Sequence, residues 1–211
     1  MVAEAADAAP FRTRALGGVR GYRRLFESLE ITLQPGEVLL VEGANGAGKT
    51  SLLRLLCGLA LPTEGEVYWH GEPLPRCRLE FQQSLLYLGH TPGVKLELSP
   101  RENLRFLAAL HGLSVNPQQL DDILDTVGLY GFETVPARAL SAGQRRRIAL
   151  ARLWFAEQAL WVLDEPFTAI DRAGVARLEA RLMEHAARGG MAVLTSHQAL
   201  QLTPAPRRLA L

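Results

Sequence analysis

One segment constrains this chain more than any other: Gly43-Ala44-Asn45-Gly46-Ala47-Gly48-Lys49-Thr50, with Ser51 following. Before it lies a short apolar run, Glu37–Val41 (EVLLV). After it Leu52, Leu53, Leu55, Leu56 and Leu59 recur at helical spacing, with Gly58 as a stop. A buried strand that feeds a Gly-rich turn and then a helix is the setting in which the pattern GxxxxGK[ST] has a physical meaning. Glycines let successive backbone N–H groups converge on phosphate oxygens, and the helix N-terminus adds the positive end of its dipole. Lys49 is placed to reach the β- and γ-phosphates of a nucleotide, and the Thr50 hydroxyl to ligate Mg²⁺. A ligand-free strand–helix turn would have no need of Lys and Thr at those two places.

A second feature lies downstream. Ala159–Leu163 (ALWVL) reads as a strand that ends in two adjacent acids, Asp164 and Glu165. Successive side chains on a strand point oppositely, but a strand's end is where the turning chain can bring both to one site. Asp164 suits a Mg²⁺ role, directly or through water, and Glu165 suits a water-activating general base. An acid pair at a strand end is otherwise an ordinary turn signal. The phosphate loop in the same chain shifts the balance toward chemistry.

Around these motifs the chain alternates strand-like and helix-like segments. Val67–Trp69, between Gly65 and Gly71, reads as a strand of a small antiparallel layer, and Leu85–Leu88 as another strand. Ser99-Pro100-Arg101-Glu102 is a capping box with Pro at the first helical position, predicting a helix to about Leu110. Asn116-Pro117 opens another, closed by Gly128. Residues from about 91 to 140 are therefore mostly helical, and Leu140–Gln144 leads into a further helix to about Phe155. Asp171 caps a helix to Arg188. Ala192–Thr195 is a late strand, and Arg207–Leu211 a possible edge. The alternation predicts an α/β fold with a largely parallel core sheet. Met1–Arg14, Ala-rich with Glu4 and Asp7 and without an apolar core, is expected to be a loose lead-in rather than a targeting peptide.

Composition narrows the function classes. With 211 residues there is room for one full domain, and a formal net charge of +1 leaves no electrostatic footprint for nucleic acid. Cys57 and Cys77 form no CxxC, so a disulfide framework is not expected and a reducing cytosol is. No apolar run approaches the ~18 residues that a membrane-spanning helix requires.

The motifs together resemble one family. Leu140-Ser141-Ala142-Gly143-Gln144 is similar to the LSGGQ signature of ABC ATPases. Asp164-Glu165-Pro166, Thr168-Ala169-Ile170-Asp171 and Thr195-Ser196-His197 resemble that family's Walker B, D-loop and switch histidine, in the family's order. The resemblance runs from about residue 20 to the end. It implies a P-loop NTPase fold in a single ABC ATPase domain over 1–211, with a helical subdomain of about 91–155 inserted in the catalytic core. It also implies ATP and Mg²⁺ as cofactors, with His197 near the γ-phosphate or the attacking water. Ser141, Gly143 and Gln144 would complete the phosphate pocket of a second copy of the chain. Membrane subunits would be the other partners, and the site of action the cytoplasmic face of the inner membrane. Arg145, Arg146 and Arg147 read first as a solvated helix face, and second as an interface or phosphate-proximal group.

Two departures stand out. His90, after Leu86-Tyr87-Leu88-Gly89, occupies the place where most ABC ATPases carry Gln. A neutral imidazole carries its one donor and one acceptor nitrogen on different edges of the ring, so it cannot present both to one place as an amide does from its neighbouring O and NH₂. His90 is expected to hydrogen-bond near the metal-bound or attacking water. Upstream, Arg20 falls where an adenine-stacking aromatic is expected, with Tyr22 close by, and the base contact stays open. The run Leu88–Lys95 (LGHTPGVK), with LSAGQRRR and DEPFTAID, is similar to the ATPase subunits of bacterial haem exporters that serve c-type cytochrome maturation. In such a complex haem is handled by the assembly rather than by this chain, whose five histidines form no attachment pattern. Two other readings remain: a non-transport ABC ATPase acting on ribosomes or DNA, and a subunit that binds ATP only as a structural clamp.

Overall fold

Phe11–Arg20 contains three arginines and two adjacent glycines, a poor strand by composition, yet it forms the longest strand of the protein's antiparallel layer. The structure, a computed structural model, describes residues 9–211. The expectation of a loose lead-in is therefore corrected from Phe11 onward; residues 1–8 lie outside the described residues. The reason is tertiary. Phe11 pairs with Trp69 on one side and with Leu33 on the other, and it is fully buried. Arg12 stays out of the core by lying over the Tyr68 ring, 4.1 Å from its centroid.

The chain divides into two compact units. Among the described residues the first comprises 9–87, 158–165 and 183–211. Its antiparallel layer contains β1 (Phe11–Arg20), β2 (Arg23–Leu29), β3 (Thr32–Leu33), β5 (Glu64–Trp69) and β6 (Glu72–Pro73), in the order β2-β1-β5-β6 with β3 also on β1. β5 starts three residues before the apolar stretch, because pairing with β1 recruits Glu64–Glu66. The second sheet is β10-β4-β9-β8-β7, from β4 (Val38–Glu42), β7 (Leu85–Leu88), β8 (Leu160–Leu163), β9 (Met191–Thr195) and β10 (Arg207–Ala210). The pairs β10–β4, β4–β9 and β8–β9 are parallel. Strands β8 and β9 are buried along their whole length, as expected of parallel strands covered on both faces. Helix α1 (Lys49–Leu56) buries Leu52, Leu53, Leu55 and Leu56 in the same core as Val41, Val162 and Val193. A short helix, α2 (Arg78–Ser84), was not legible from the sequence; its Phe81 packs beside Phe11 and Trp69.

The second unit comprises residues 88–157 and 166–182. It contains α3 (Pro100–Leu110), α4 (Pro117–Thr126), α5 (Ala142–Ala151) and the larger part of α6 (Arg172–Ala187). Leu104, Leu120, Leu124, Leu129, Leu140 and Ile148 make its core. Three helices start with capping boxes, Ser99/Glu102, Asn116/Gln119 and Ser141/Gln144. The helix expected to reach Phe155 stops as α-helix at Ala151 and tightens into a 3₁₀ turn over Arg152–Trp154. Among the described residues no helix is long and apolar enough to cross a membrane.

Candidate nucleotide site at the strand ends

Parallel pairing sends the C-terminal ends of β4, β8 and β9 to one edge of the sheet, the place where open α/β sheets bind ligands. Val41 is paired with Thr195, and Leu163 with Leu194, so the residues that follow each strand are brought together. The loop Gly43–Gly48 leaves β4 and enters α1. Gly46 and Gly48 have φ of 83° and 111°. A Cβ on Gly48 would lie 3.0 Å from the Cβ of Leu25, so this position needs glycine for both its conformation and its closeness to β2. Ala44, Asn45 and Gly46 are exposed at the tip of the loop. Lys49 is buried and curls back over the loop, its ammonium donating to the carbonyls of Gly43 at 2.7 Å and Ala44 at 3.3 Å.

Thr50 and Asp164 meet from 114 positions apart, the Thr50 hydroxyl donating to Asp164 Oδ2 at 2.8 Å. Asp164 is 2% exposed. These are two hard oxygen donors side by side. Among the described residues no cluster of three or more His, Cys, Asp or Glu could hold a metal alone. That donor set fits Mg²⁺, which keeps few protein ligands and completes its shell with water and substrate phosphates. Glu165 Oε1 lies 3.3 Å from His197 Nε2, with the Glu165 side chain 17% and the His197 side chain 53% exposed. A sheltered carboxylate next to a solvent-reaching imidazole is a suitable pair for activating a water. Glu165 also has a φ of 51°, and its N–H donates to the hydroxyl of Thr195. Thr195 was not singled out from the sequence beyond its place before His197. A polar residue closing an otherwise apolar strand, MAVLT, was the available signal.

The sequence-predicted residues thus separate into two sets. Gly43–Ser51, Asp164, Glu165 and His197 belong to the first unit; Ser141, Gly143, Gln144 and His90 belong to the second. In the second unit Ser141 is the exposed N-cap of α5, its hydroxyl accepting from the Gln144 N–H at 3.2 Å and its own N–H donating to Gln144 Oε1 at 2.9 Å. Gly143 passes the backbone of the Thr168–Asp171 loop closely: a Cβ there would come within 3.0 Å of the Ala169 carbonyl. Two of the three consecutive arginines, Arg146 and Arg147, do not lie on a solvated face. Arg146 is 5% exposed and donates to the carbonyls of Gly89 at 2.9 Å and His90 at 3.4 Å. Arg147 donates to the Gly128 carbonyl at 3.0 Å and lies 3.3 Å from Asp171. Helical period carries these side chains inward, where carbonyls accept them. The Asp171 carboxyl is held below the ordinary carboxylate range, first by the Gly174 N–H and, after that, by Arg147.

Tyr22 stands fully exposed at the turn between β1 and β2, and Arg20 ends β1 beside it.

The sequence profile of the ABC transporter family matches residues 26–168. A cytochrome c biogenesis ATP-binding export protein of Methylococcus capsulatus is 53% identical over 194 residues, covering 92% of this chain and 94% of the relative. One of the same description from Salmonella typhi is 56% identical over 193 residues, covering 91% and 92%. Among solved structures, a putative ATP-binding ABC transporter protein from Pyrococcus furiosus superposes with a TM-score of 0.81 at 25% identity, over 95% of this chain and 96% of the other. Order of motifs, fold and similarity along nearly the full length agree: the chain belongs to the ABC transporter family, among its ATP-binding subunits.

Proposed function

We propose that this ABC transporter ATPase subunit drives haem export for c-type cytochrome biogenesis. In this reading ATP hydrolysis works on integral membrane subunits that release haem to a periplasmic chaperone, while the chain itself binds no haem. The observation that carries the reading is the 53% identity with a cytochrome c biogenesis export protein over nearly the whole of both chains. Residues 1–211 act as one ATPase domain, with the helical subdomain of about 91–155 inserted in the catalytic core. The subunit is peripheral, at the cytoplasmic face of the bacterial inner membrane.

Each residue has a stated task. The backbone of Gly43–Gly48 and the start of α1, with Ser51, bind the phosphates, and Lys49 neutralises them. Thr50 and Asp164 hold Mg²⁺, which offsets phosphate charge when bound. Glu165 takes a proton from the attacking water, and His197, 3.3 Å away, keeps that carboxylate oriented. Ser141, Gly143 and Gln144 serve the phosphate pocket of a second copy, since Ser141 heads an exposed helix N-terminus. His90 serves in place of the usual Gln, its turn anchored by Arg146.

The test is genetic. A bacterium deleted for this gene should lose covalently haem-loaded c-type cytochromes and regain them with the wild-type gene but not with Glu165→Gln. Full recovery with Glu165→Gln, or normal cytochromes in the deletion, would reject the proposal.

A further inference from the structure

β9 closes on a side chain that is both polar and fully buried: Thr195 has no exposed surface. Valine or isoleucine would serve a buried strand position equally well by shape and strand preference. A buried hydroxyl is tolerated only with partners, and this one has two that matter. It donates to Asp164 Oδ1 at 2.9 Å and accepts from the backbone N–H of Glu165 at 2.8 Å. The opposite carboxylate oxygen of Asp164 accepts from Thr50 of the phosphate loop. Asp164 is therefore gripped from both sides, and its carboxylate plane is set by two hydroxyls. The second partner is the more unusual. Glu165 has a φ of 51°, a left-handed conformation that a residue with a long side chain holds only when its surroundings over-determine it. The N–H that Thr195 captures belongs to that strained residue. Parallel register makes the arrangement possible, because Leu163 is paired with Leu194 and the residues that follow them are Asp164, just past β8, and Thr195, the last of β9.

We propose that Thr195 is a positioning residue for hydrolysis. One hydroxyl orients the metal-side carboxylate and locks the backbone of the general base, so that the Glu165 side chain faces His197. The proposal rests on the reading of Asp164 and Glu165 given above. It predicts that the hydroxyl, not the bulk, of Thr195 matters.

Thr195→Val keeps the shape and removes the hydroxyl; Thr195→Ser keeps the hydroxyl and removes the methyl. Two measurements separate them: residue-resolved amide exchange at Glu165 in the nucleotide-free protein, and steady-state ATP hydrolysis by the assembled transporter. In Thr195→Val the Glu165 amide should exchange at least ~10-fold faster, because its acceptor is gone. The same variant should lose roughly 10-fold or more in kcat while KM for ATP moves less than about two-fold, the mark of an interaction that acts after binding. Thr195→Ser should recover most of both losses. If Thr195→Val does not fold, Thr195→Ser against Thr195→Ala makes the same comparison, since those two differ only by the oxygen. A serine variant as impaired as the valine or alanine one would overturn the proposal. So would a Glu165 amide equally protected with and without the hydroxyl. Wild-type hydrolysis by Glu165→Gln would instead overturn the underlying reading, and would leave the exchange contrast between the Thr195 variants standing.

Discussion

Glu165 and Lys49 show how differently two residues of one site are prepared for their tasks. The Lys49 ammonium is committed to carbonyls of its own loop, a preformed cradle in which phosphate oxygens would compete for the same donor. Glu165 is sheltered, backbone-strained and turned to an imidazole. Binding and chemistry should therefore fail separately. Glu165→Gln should bind ATP as the wild type does while hydrolysis falls by the ~10²–10⁴ expected for loss of a general base. Lys49→Ala should weaken ATP binding itself, seen as a raised Kd in a direct titration. Hydrolysis by Glu165→Gln within a few-fold of wild type would remove it from that role. Asn103 is a residue whose part could not be read in advance. It is buried on α3, and its amide bonds the backbone of Lys95, Leu98 and Ser99, tying down the segment after His90. Asparagine inside a helix offers only the hint that it is a poor helix former.

Helix starts in the second unit are defined by local chemistry. Ser99 accepts from the Glu102 N–H, Glu102 accepts from the Ser99 N–H, and Pro100 occupies the first turn where no donor is missed. Ser99→Ala should cost about 0.5–2 kcal/mol of stability, read as a lower midpoint in chemical denaturation. The cap also carries a pH signature. The Ser99 N–H, before any other cause, holds the Glu102 carboxyl below its ordinary range. A depressed folded-state pKa means stability that is present above the unfolded-state value and lost as pH falls through the folded one. The difference in Tm between wild type and Glu102→Ala should accordingly be largest near neutrality and shrink as the pH is taken below ~4. A gap that stays constant down to that acid range would show that the carboxylate charge contributes nothing to the cap. Arg101 adds a forked pair to Asp121, at 2.7 and 2.8 Å, which fastens α3 to α4.

At the scale of the whole molecule, Ser141 is the exposed N-cap of α5. In the proposed reading it serves the phosphates of a second copy, so each ATP needs residues of two chains. With hydrolysis blocked, Glu165→Gln should dimerise when ATP and Mg²⁺ are added, and light scattering would report the mass. A monomer at saturating ATP would place completion of the site elsewhere. Among the described residues no helix is long and apolar enough to cross a bilayer. In the proposed reading the membrane subunits provide the attachment. The subunit should sediment with membranes when its membrane partners are coexpressed, and not when they are deleted. Persistent sedimentation without partners would require an anchor within this chain.

Local chemistry written in consecutive residues was legible without a structure. The phosphate loop, the caps at Ser99 and Asn116, the apolar strands around Leu160–Leu163 and Ala192–Thr195 and the stop at Gly128 all depend on neighbours a few positions away. The family resemblance drew on the same local motifs. What depended on distant partners was not legible. β1 is a strand because Trp69 and Leu33 flank Phe11, not because FRTRALGGVR favours extension. Arg146 is internal because carbonyls at residues 89 and 90 receive it, although a run of three arginines suggests solvent. Thr195 joins the site because parallel register carries it to Asp164 across 31 positions, and Thr50 reaches the same carboxylate across 114. Hydrogen bonds and helix caps span a few ångströms along the chain and leave their mark in neighbouring letters. Burial and long-range pairing depend on which segments meet, and only folding brings those segments together.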